Sequence, residues 1–207
     1  MHVPTFPASV TKITIYQHCD AFTSNSNWGS GSRSTMLSCA LALRSFSLEE
    51  LVICNIVDGR QFFEQAQKLQ SEILFSPLVW ADLRILTLTS DSIEENKDSE
   101  LLILLRYMAY AARRMPRLKI MEVYNADGKS AGLFQYMVAH PSVAVSWIST
   151  WQWHFTPYLE GIWDSVSYHK GLQAEFTVKL LGTYSGPAHF VSTHLATPEF
   201  ALHPSSL

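Results

Sequence analysis

The chain has 207 residues, of which 47% are hydrophobic and 16% charged, and its formal net charge is -3. This length and apolar content suffice for one buried core and do not require two domains. Because no excess of positive charge attracts phosphate groups, we expect neither nucleic acid nor a membrane surface as a partner.

The cysteines and the first residues bear on localisation. Cys19, Cys39 and Cys54 form no C-x-x-C pair, and an odd number of cysteines cannot all pair within one chain. The opening MHVPTFPASVTK lacks the basic and apolar regions of a secretory signal peptide. The longest apolar stretch, 101–112, is interrupted by Arg106 and is too short to span a bilayer. We therefore predict reduced thiols and a cytoplasmic or nuclear protein.

In chain order, segments with strand and helix patterns alternate over the first 124 residues. The predicted strands lie near 10–16, 48–54, 83–89 and 118–124. The predicted helices, from the helical spacing of apolar residues, are Thr35–Phe46, Arg60–Leu69 and Ser99–Arg114. After residue 140 the alternation is less regular, and two further strands are predicted at Val143–Trp153 and Leu172–Leu180.

The first four strands share the pattern L-x-x-L-x-L. Its three regular copies begin at Leu48, Leu83 and Leu118 and are therefore 35 residues apart, and a less regular copy begins at Val10. A single strand-plus-helix unit cannot cover its own apolar face, whereas stacked units bury it. The period thus indicates a repeat architecture.

We predict one repeat domain over residues 1–207, with irregular C-terminal repeats in 141–207. Its fold class is α/β, a degenerate leucine-rich-repeat-like solenoid with parallel strands on one face and helices on the other. The asparagine that usually follows the leucine-rich pattern is absent, since Ile56, Asp91 and Ala126 hold those positions. An ordinary α/β sheet with evenly spaced strands is the alternative.

Several segments resemble the C-terminal region of fungal F-box-type proteins, which carry degenerate leucine-rich repeats. They are LEELVICNIVDGRQFF, WADLRILTLTS, AARRMPRLKIMEVYNADGKSAGLFQY, STWQWHFTP and FALHPSSL. The resemblance extends over roughly residues 35–207 and implies a protein-binding module that selects substrates for an SCF-type ubiquitin ligase. No Leu-Pro-x-Glu-Ile-type F-box helix precedes residue 35, so we expect binding to the ligase scaffold only in a longer form that carries an F-box.

One motif favours an enzyme. The sequence GKSAG around Ser130 matches G-x-S-x-G, and it follows a predicted strand and precedes Leu133–Ala139, which has a helical pattern. A strand–turn–helix context is what the nucleophile elbow of a serine hydrolase requires. Chain order allows a triad of Ser130 with Asp164 and either His189 or His194.

Other observations oppose catalysis. NADG at 125–128 predicts a loose turn before the serine, and no HGGG-like oxyanion segment is present. The histidines, including His18 beside Cys19, lack the spacing of metal ligands, and GSGS at 29–32 lacks the lysine of a phosphate loop. We therefore predict a non-enzymatic protein without metal or cofactor, and an esterase-like serine hydrolase is the alternative.

Three tryptophans share strand parity in the late segment. Trp147, Trp151 and Trp153 would line one face of a single strand. Such a face can stack a sugar or another ligand, whereas the other interpretation is that these rings fill the core beneath a degenerate last repeat.

The strand residues that alternate with the buried ones are the predicted partner-binding surface. Because side chains alternate along a strand, they face away from the core and form two rows across the sheet. These residues are Thr14, Tyr16, Val52, Cys54, Thr87, Thr89, Glu122 and Tyr124. The alternative is that a loop or the aromatic late segment covers this face.

Overall fold

The computed structural model of the chain describes residues 7, 9–17, 32–72, 79–127 and 129–196. Within them, seven strands form one open sheet of mixed direction and five helices pack around it, so the fold is mixed α/β. The strands are β1 (Lys12–Tyr16), β2 (Glu50–Asp58), β3 (Ile85–Thr89), β4 (Ile120–Ala126), β5 (Ala131–Ala139), β6 (Ser142–Ser149) and β7 (Gln173–Leu180). The helices are α1 (Ser32–Ser45), α2 (Gly59–Glu72), α3 (Asp98–Ala112), α4 (Pro157–Tyr168) and α5 (Pro187–His194).

The strands lie side by side in the order in which they occur along the chain. Neighbouring strands from β1 to β4 are parallel, as are β6 and β7, and β1–β4 correspond to the four predicted repeat strands. β5 is antiparallel to both β4 and β6. The prediction of parallel strands is wrong here, because the short connections at 127–130 and 140–141 reverse the chain and cannot join parallel strands.

Alternate residues of β2–β4 point toward α1–α3 and form the main core. In each of two rows, a residue of β2 lies beside its equivalent in β3, which lies beside its equivalent in β4. The six residues, all 0% exposed, are Leu51, Ile53, Leu86, Leu88, Met121 and Val123. Their burial and register confirm the prediction that they point inward and pack across neighbouring strands.

Two side-chain hydrogen bonds join residues whose separation equals the sequence period of 35 residues. Trp80 Nε1 donates to Ser45 Oγ at 2.7 Å, and these residues are 35 positions apart. Arg117 Nη1 donates to Asp82 Oδ1 at 2.7 Å across the same separation of 35. These two bonds therefore join positions that are equivalent in the sequence period of 35 residues.

The helices α2 and α4 begin at polar side-chain caps. Asp58 Oδ1 accepts from the Gln61 amide at 3.1 Å at the start of α2, and Thr156 Oγ1 accepts from the Leu159 amide at 3.3 Å at the start of α4. These bonds satisfy amides that have no partner inside a helix. The predicted helices Thr35–Phe46, Arg60–Leu69 and Ser99–Arg114 agree with α1, α2 and α3 within a few residues.

The predictions for the late segment are partly correct. Leu172–Leu180 agrees with β7, and β6 begins as predicted near Val143 but ends at Ser149. The expectation of a helix at Leu133–Ala139 is wrong, because this segment belongs to β5 and pairs with strands on both sides. A short apolar run fits a buried strand as well as a helix, so its pattern does not decide between them.

Candidate functional site

The structure brings most of the predicted partner-binding residues together on the sheet face opposite α1–α4, called the outer face below. Across one row, Thr14 lies beside Val52, Val52 beside Thr87, and Thr87 beside Glu122. The second row joins Tyr16 to Cys54 and Thr89 to Tyr124, but it is interrupted where β2 shifts register against β3. Sequence alternation therefore predicted the shared face correctly.

The expectation that this surface is open is wrong for six of the eight residues. Tyr16 is 45% exposed and Thr14 is also exposed. The other residues, all at most 4% exposed, are Val52, Cys54, Thr87, Thr89, Glu122 and Tyr124. The face is therefore covered, as in the alternative, but a segment that includes α5 packs on it where a loop or the aromatic late segment was expected.

Residues 182–196, which we call the cover segment, lie over part of the outer face. The segment includes α5, whose Phe190 is 1% exposed and packs in a cluster with Val52, Cys54, Tyr124 and Leu133. Helices were predicted on one face alone, which is correct for α1–α4 and wrong for α5.

A buried carboxylate holds the end of the cover segment. Glu122 is 0% exposed, and its Oε1 accepts from Gln135 Nε2 and from the Ala196 amide, each at 2.7 Å. Thr87 Oγ1 donates to the other carboxylate oxygen at 3.3 Å. A buried charge requires such donors because it has lost its hydration. The geometry therefore gives Glu122 a structural role, linking two strands to the cover segment.

Cys54 and Tyr124 lie side by side on the outer face and are hydrogen bonded to each other. Burial raises the pKa of the Cys54 thiol to about 12, and burial also raises the pKa of Tyr124. Because the thiolate is the nucleophilic form, a thiol that stays protonated at neutral pH is unreactive. This pair contributes packing rather than reactive chemistry.

Ser130 lies in the turn of the β4–β5 hairpin. Asp127 Oδ1 accepts from the amides of Lys129 and Ser130, each at 2.7 Å, and the Asp127 amide donates to the Ser130 carbonyl at 3.0 Å. The chain reverses here as predicted, but Asn125 and Ala126 of the predicted turn belong to β4, and Gly128 lies outside the described residues. Because a strand follows the motif instead of a helix, the strand–turn–helix geometry of a nucleophile elbow is not formed.

The other candidate triad residues lie on opposite sides of the sheet. Asp164 belongs to α4, which packs with α1–α3 in the main core, whereas His189 and His194 belong to α5 on the outer face. Hydrogen bonding between an aspartate and a histidine requires that the two side chains meet. The structure therefore does not bring Asp164 together with either histidine.

The second glycine of the motif is explained by packing. A Cβ atom on Gly132 would lie 2.5 Å from the Trp151 ring and 2.7 Å from Ile93. We expect Gly132→Ala to lower the free energy of unfolding by about 1–3 kcal/mol, because buried atoms must shift. Chemical denaturation measures this, with Ser130→Ala as the control expected to stay within about 0.5 kcal/mol. A neutral Gly132→Ala would contradict the close approach of Trp151.

The three tryptophans form part of the core, as the second interpretation of their spacing predicts. Trp147 is 0% and Trp151 8% exposed, and their ring centroids lie 5.9 Å apart. The ring centroid of Trp153 lies 4.7 Å from that of Trp147 and 5.1 Å from that of Phe155. Edge and tilted contacts of this kind stabilise an aromatic core. The rings therefore do not form an open ligand-stacking face.

A small cleft lies near the carboxyl ends of β2 and β3. Its volume is about 310 Å³, and Asp58 and Asp91 contribute to its lining. Burial, followed by the charge of Asp58, raises the pKa of Asp91 to about 6. Asp58 Oδ2 already accepts from Ser90 Oγ at 2.9 Å and from the Asp91 amide at 2.8 Å. These bonds connect Asp58 to the loop after β3, so this carboxylate has a structural role in the cleft.

A shallow groove lies between α3 and α4 on the helical side of the molecule. Its volume is about 430 Å³, and its lining residues are Arg113, Pro157, Tyr158, Gly161, Ile162 and Ser165. Sequence reasoning did not find this groove. The glycine inside an otherwise helical run was the available signal, because glycine destabilises a helix interior.

Among the residues that the structure describes, no group of three or more His, Cys, Asp or Glu side chains is arranged to hold a metal ion. No helix in the same part of the chain has the length and apolar content needed to cross a membrane.

The profile of a family of unknown function, DUF6546, matches residues 5–203. The chain belongs to the DUF6546 family. The match extends over all seven strands and both faces of the sheet in this DUF6546 protein. No curated protein and no solved structure is significantly similar to it.

Proposed function

We propose that this DUF6546 protein is a protein-binding module whose strand-plus-helix units stack as a short solenoid. The observation that carries the proposal is the chain order of the strands, in which each unit pairs with its sequence neighbours. The hydrogen bonds between positions 35 residues apart support the same interpretation. Stacked units of this kind present extended surfaces, and such surfaces commonly bind other proteins.

The arrangement of reactive side chains also favours binding over catalysis. Cys54 is a protonated, buried thiol, Glu122 is engaged by donors, and Ser130 lies in a hairpin turn. A catalytic site requires a nucleophile and a base within hydrogen-bonding reach of each other. The candidate residues for a hydrolase lie instead on different sides of the sheet.

A finer proposal concerns the biological role. We propose that the module selects protein substrates for a ubiquitin ligase of the SCF type, acting in the cytoplasm or the nucleus. This part rests on the resemblance of residues 35–207 to fungal F-box-type proteins. Cys39 and Cys54 are free thiols, which agrees with a reducing compartment.

Affinity capture followed by direct binding tests the proposal. The purified chain is immobilised, retained proteins are identified by mass spectrometry, and each candidate is then titrated in purified form. We expect at least one direct partner with a dissociation constant below about 10 μM. Ser130→Ala should bind this partner equally well, because the proposed function does not use the serine hydroxyl.

Two results would overturn the proposal. One is that no purified candidate binds directly. The other is labelling of the wild-type chain by a fluorophosphonate probe together with ester turnover, both lost in Ser130→Ala.

A further inference from the structure

The strand β7 lies at one edge of the sheet and is largely exposed. It pairs with β6 on one side, and no other described segment pairs with it. Its exposed residues include two apolar ones, Val178 at 40% and Leu180 at 58%. An edge strand presents unpaired backbone groups to any further strand, and proteins usually protect such an edge. The outer edge of β7 is therefore a place where another strand can add to the sheet.

One hydrogen bond shows which backbone groups of β7 point away from the sheet. The amide of Leu181, directly after β7, donates to the Ser149 carbonyl of β6 at 2.8 Å. Backbone groups alternate in direction along a strand, so the odd-numbered residues of β7 direct their amides and carbonyls toward β6. The even-numbered residues direct theirs to the open side. These residues are Ala174, Phe176, Val178 and Leu180.

The two charged side chains of β7 do not pair within one chain. Glu175 and Lys179 are both exposed, and four residues of extended strand separate them by about 13 Å. The β6 residues beside them are Ala144 and Ile148, which carry no charge. His194 of α5 lies near Lys179, and burial followed by the charge of Lys179 lowers the pKa of this histidine. A neutral histidine leaves the Lys179 ammonium without a carboxylate on this side.

Two antiparallel copies of β7 match these charges to each other. With the two-fold axis through Thr177, Glu175 of each copy lies opposite Lys179 of the other. The Cβ atoms of directly opposite residues are about 5 Å apart, which brings the charged groups within reach of an ion pair. An axis through Phe176 or Val178 instead pairs neither charge with an opposite one. The charges of β7 therefore favour one register of self-pairing.

The backbone groups and the apolar side chains agree with this register. Centring on Thr177 places Phe176 opposite Val178, and Ala174 opposite Leu180, of the second copy. These residues direct their amides and carbonyls to the open side, so each such pair can exchange two hydrogen bonds. Their side chains lie on the face where Phe176 packs against the main core, so pairing also covers the exposed Val178 and Leu180.

We propose that β7 is a dimerisation edge, to which a second copy of this chain adds its own β7 in antiparallel direction. The sheets of the two copies then join into one continuous sheet. Because both copies contribute the same strand, the contact closes as a two-fold dimer and does not extend into a filament. The inference goes beyond the proposed function, since it requires no other protein.

Sedimentation equilibrium of the purified full chain tests the proposal. We expect a reversible dimer at chain concentrations of about 10–100 μM. Val178→Pro should weaken the dimer about tenfold or more, because proline removes an amide that points to the open side and leaves the pairing with β6 intact. The matched control Val178→Thr keeps this amide and a β-branched side chain, and its dimer should stay within about threefold of the wild type.

Charge reversal tests the register. Lys179→Glu and Glu175→Lys should each weaken the homodimer about tenfold or more, because like charges then lie opposite each other. Mixed in equal amounts, the two variants should form a heterodimer, since each glutamate of one chain then lies opposite a lysine of the other. Lys68→Glu on α2 is the control and should dimerise as the wild type does. Circular dichroism monitors the folding of each variant.

The proposal fails on any of three results. One is a wild-type chain that stays monomeric up to about 100 μM, even if a captured protein binds it through β7. Another is a dimer that Val178→Pro does not weaken, or charge variants that do not associate on mixing. The third is an assembly that grows beyond two copies as the concentration rises. Because the measurement uses the chain alone, its outcome is independent of whether a protein partner is captured.

Discussion

Replacing Trp163 with alanine is expected to lower the free energy of unfolding by about 3–5 kcal/mol. Trp163 is 0% exposed, and its ring centroid lies 4.7 Å from that of Phe134 and 5.4 Å from that of Tyr136. It is the main aromatic side chain by which α4 packs on β5. The substitution removes these contacts and leaves a cavity that rigid strands cannot close, so chemical denaturation should show a large decrease.

Trp163→Phe serves as the matched control. The indole N–H of Trp163 is buried without a hydrogen-bond acceptor among the described residues, so its removal loses no hydrogen bond. We expect the phenylalanine variant to retain most of the stability and the alanine variant to lose it. A loss below about 1 kcal/mol in Trp163→Ala would mean that α4 is not packed on β5 in this way.

Leu86→Ala is expected to cost about 2–5 kcal/mol. Leu86 lies on β3 between Leu51 of β2 and Met121 of β4, and it is 0% exposed. Because packed neighbours lie on both sides, removal of its three side-chain carbons leaves a void in the central layer of the core. Urea denaturation gives the difference in unfolding free energy.

Leu43→Ala on α1 is the control for this substitution. Leu43 is 53% exposed, and alanine has a favourable helix propensity, so the same chemical change should stay within about 0.5 kcal/mol. Equal stabilities of the Leu86 and Leu43 variants would show that the register of β3 is misassigned.

The elements from β1 to β4 were predictable because the local sequence pattern and the packing of the strands agree there. Leu48, Leu83 and Leu118 mark the start of each copy of the sequence pattern and are all at most 2% exposed. An apolar residue at a fixed interval identifies a position that the fold uses in the same way each time. Strand alternation then assigned the remaining residues of β1–β4 to the correct face.

The hairpin region was not predictable in the same way. Residues 133–139 are nearly all apolar, and such a run fits a buried strand or a buried helix. The segment forms a strand because it pairs with strands on both sides: Phe134 pairs with Val123 of β4 and with Trp147 of β6. These contacts depend on where the chain turns, and the pattern of the segment itself does not contain that information.

The candidate surface was predicted in position but not in accessibility. Alternation placed Glu122 and Tyr124 opposite the core, yet it does not reveal that Phe190 packs near them. The helix α5 has only eight residues, and its sequence does not indicate which face of the sheet its buried residue Phe190 packs on. The groove beside Gly161 depends on the distance between α3 and α4, which only the packed structure provides.

The sequential pairing of strands bears on the order of folding. The β4–β5–β6 meander closes through connections of a few residues, whereas β1, β2 and β3 each reach the next strand through a whole helix. The entropy lost on closing a loop grows with its length, so the meander is the least costly nucleus. We expect the parallel strands to assemble onto it in reverse order of sequence, with β1 last. Amide hydrogen exchange should accordingly be slowest in β4–β6 and fastest in β1.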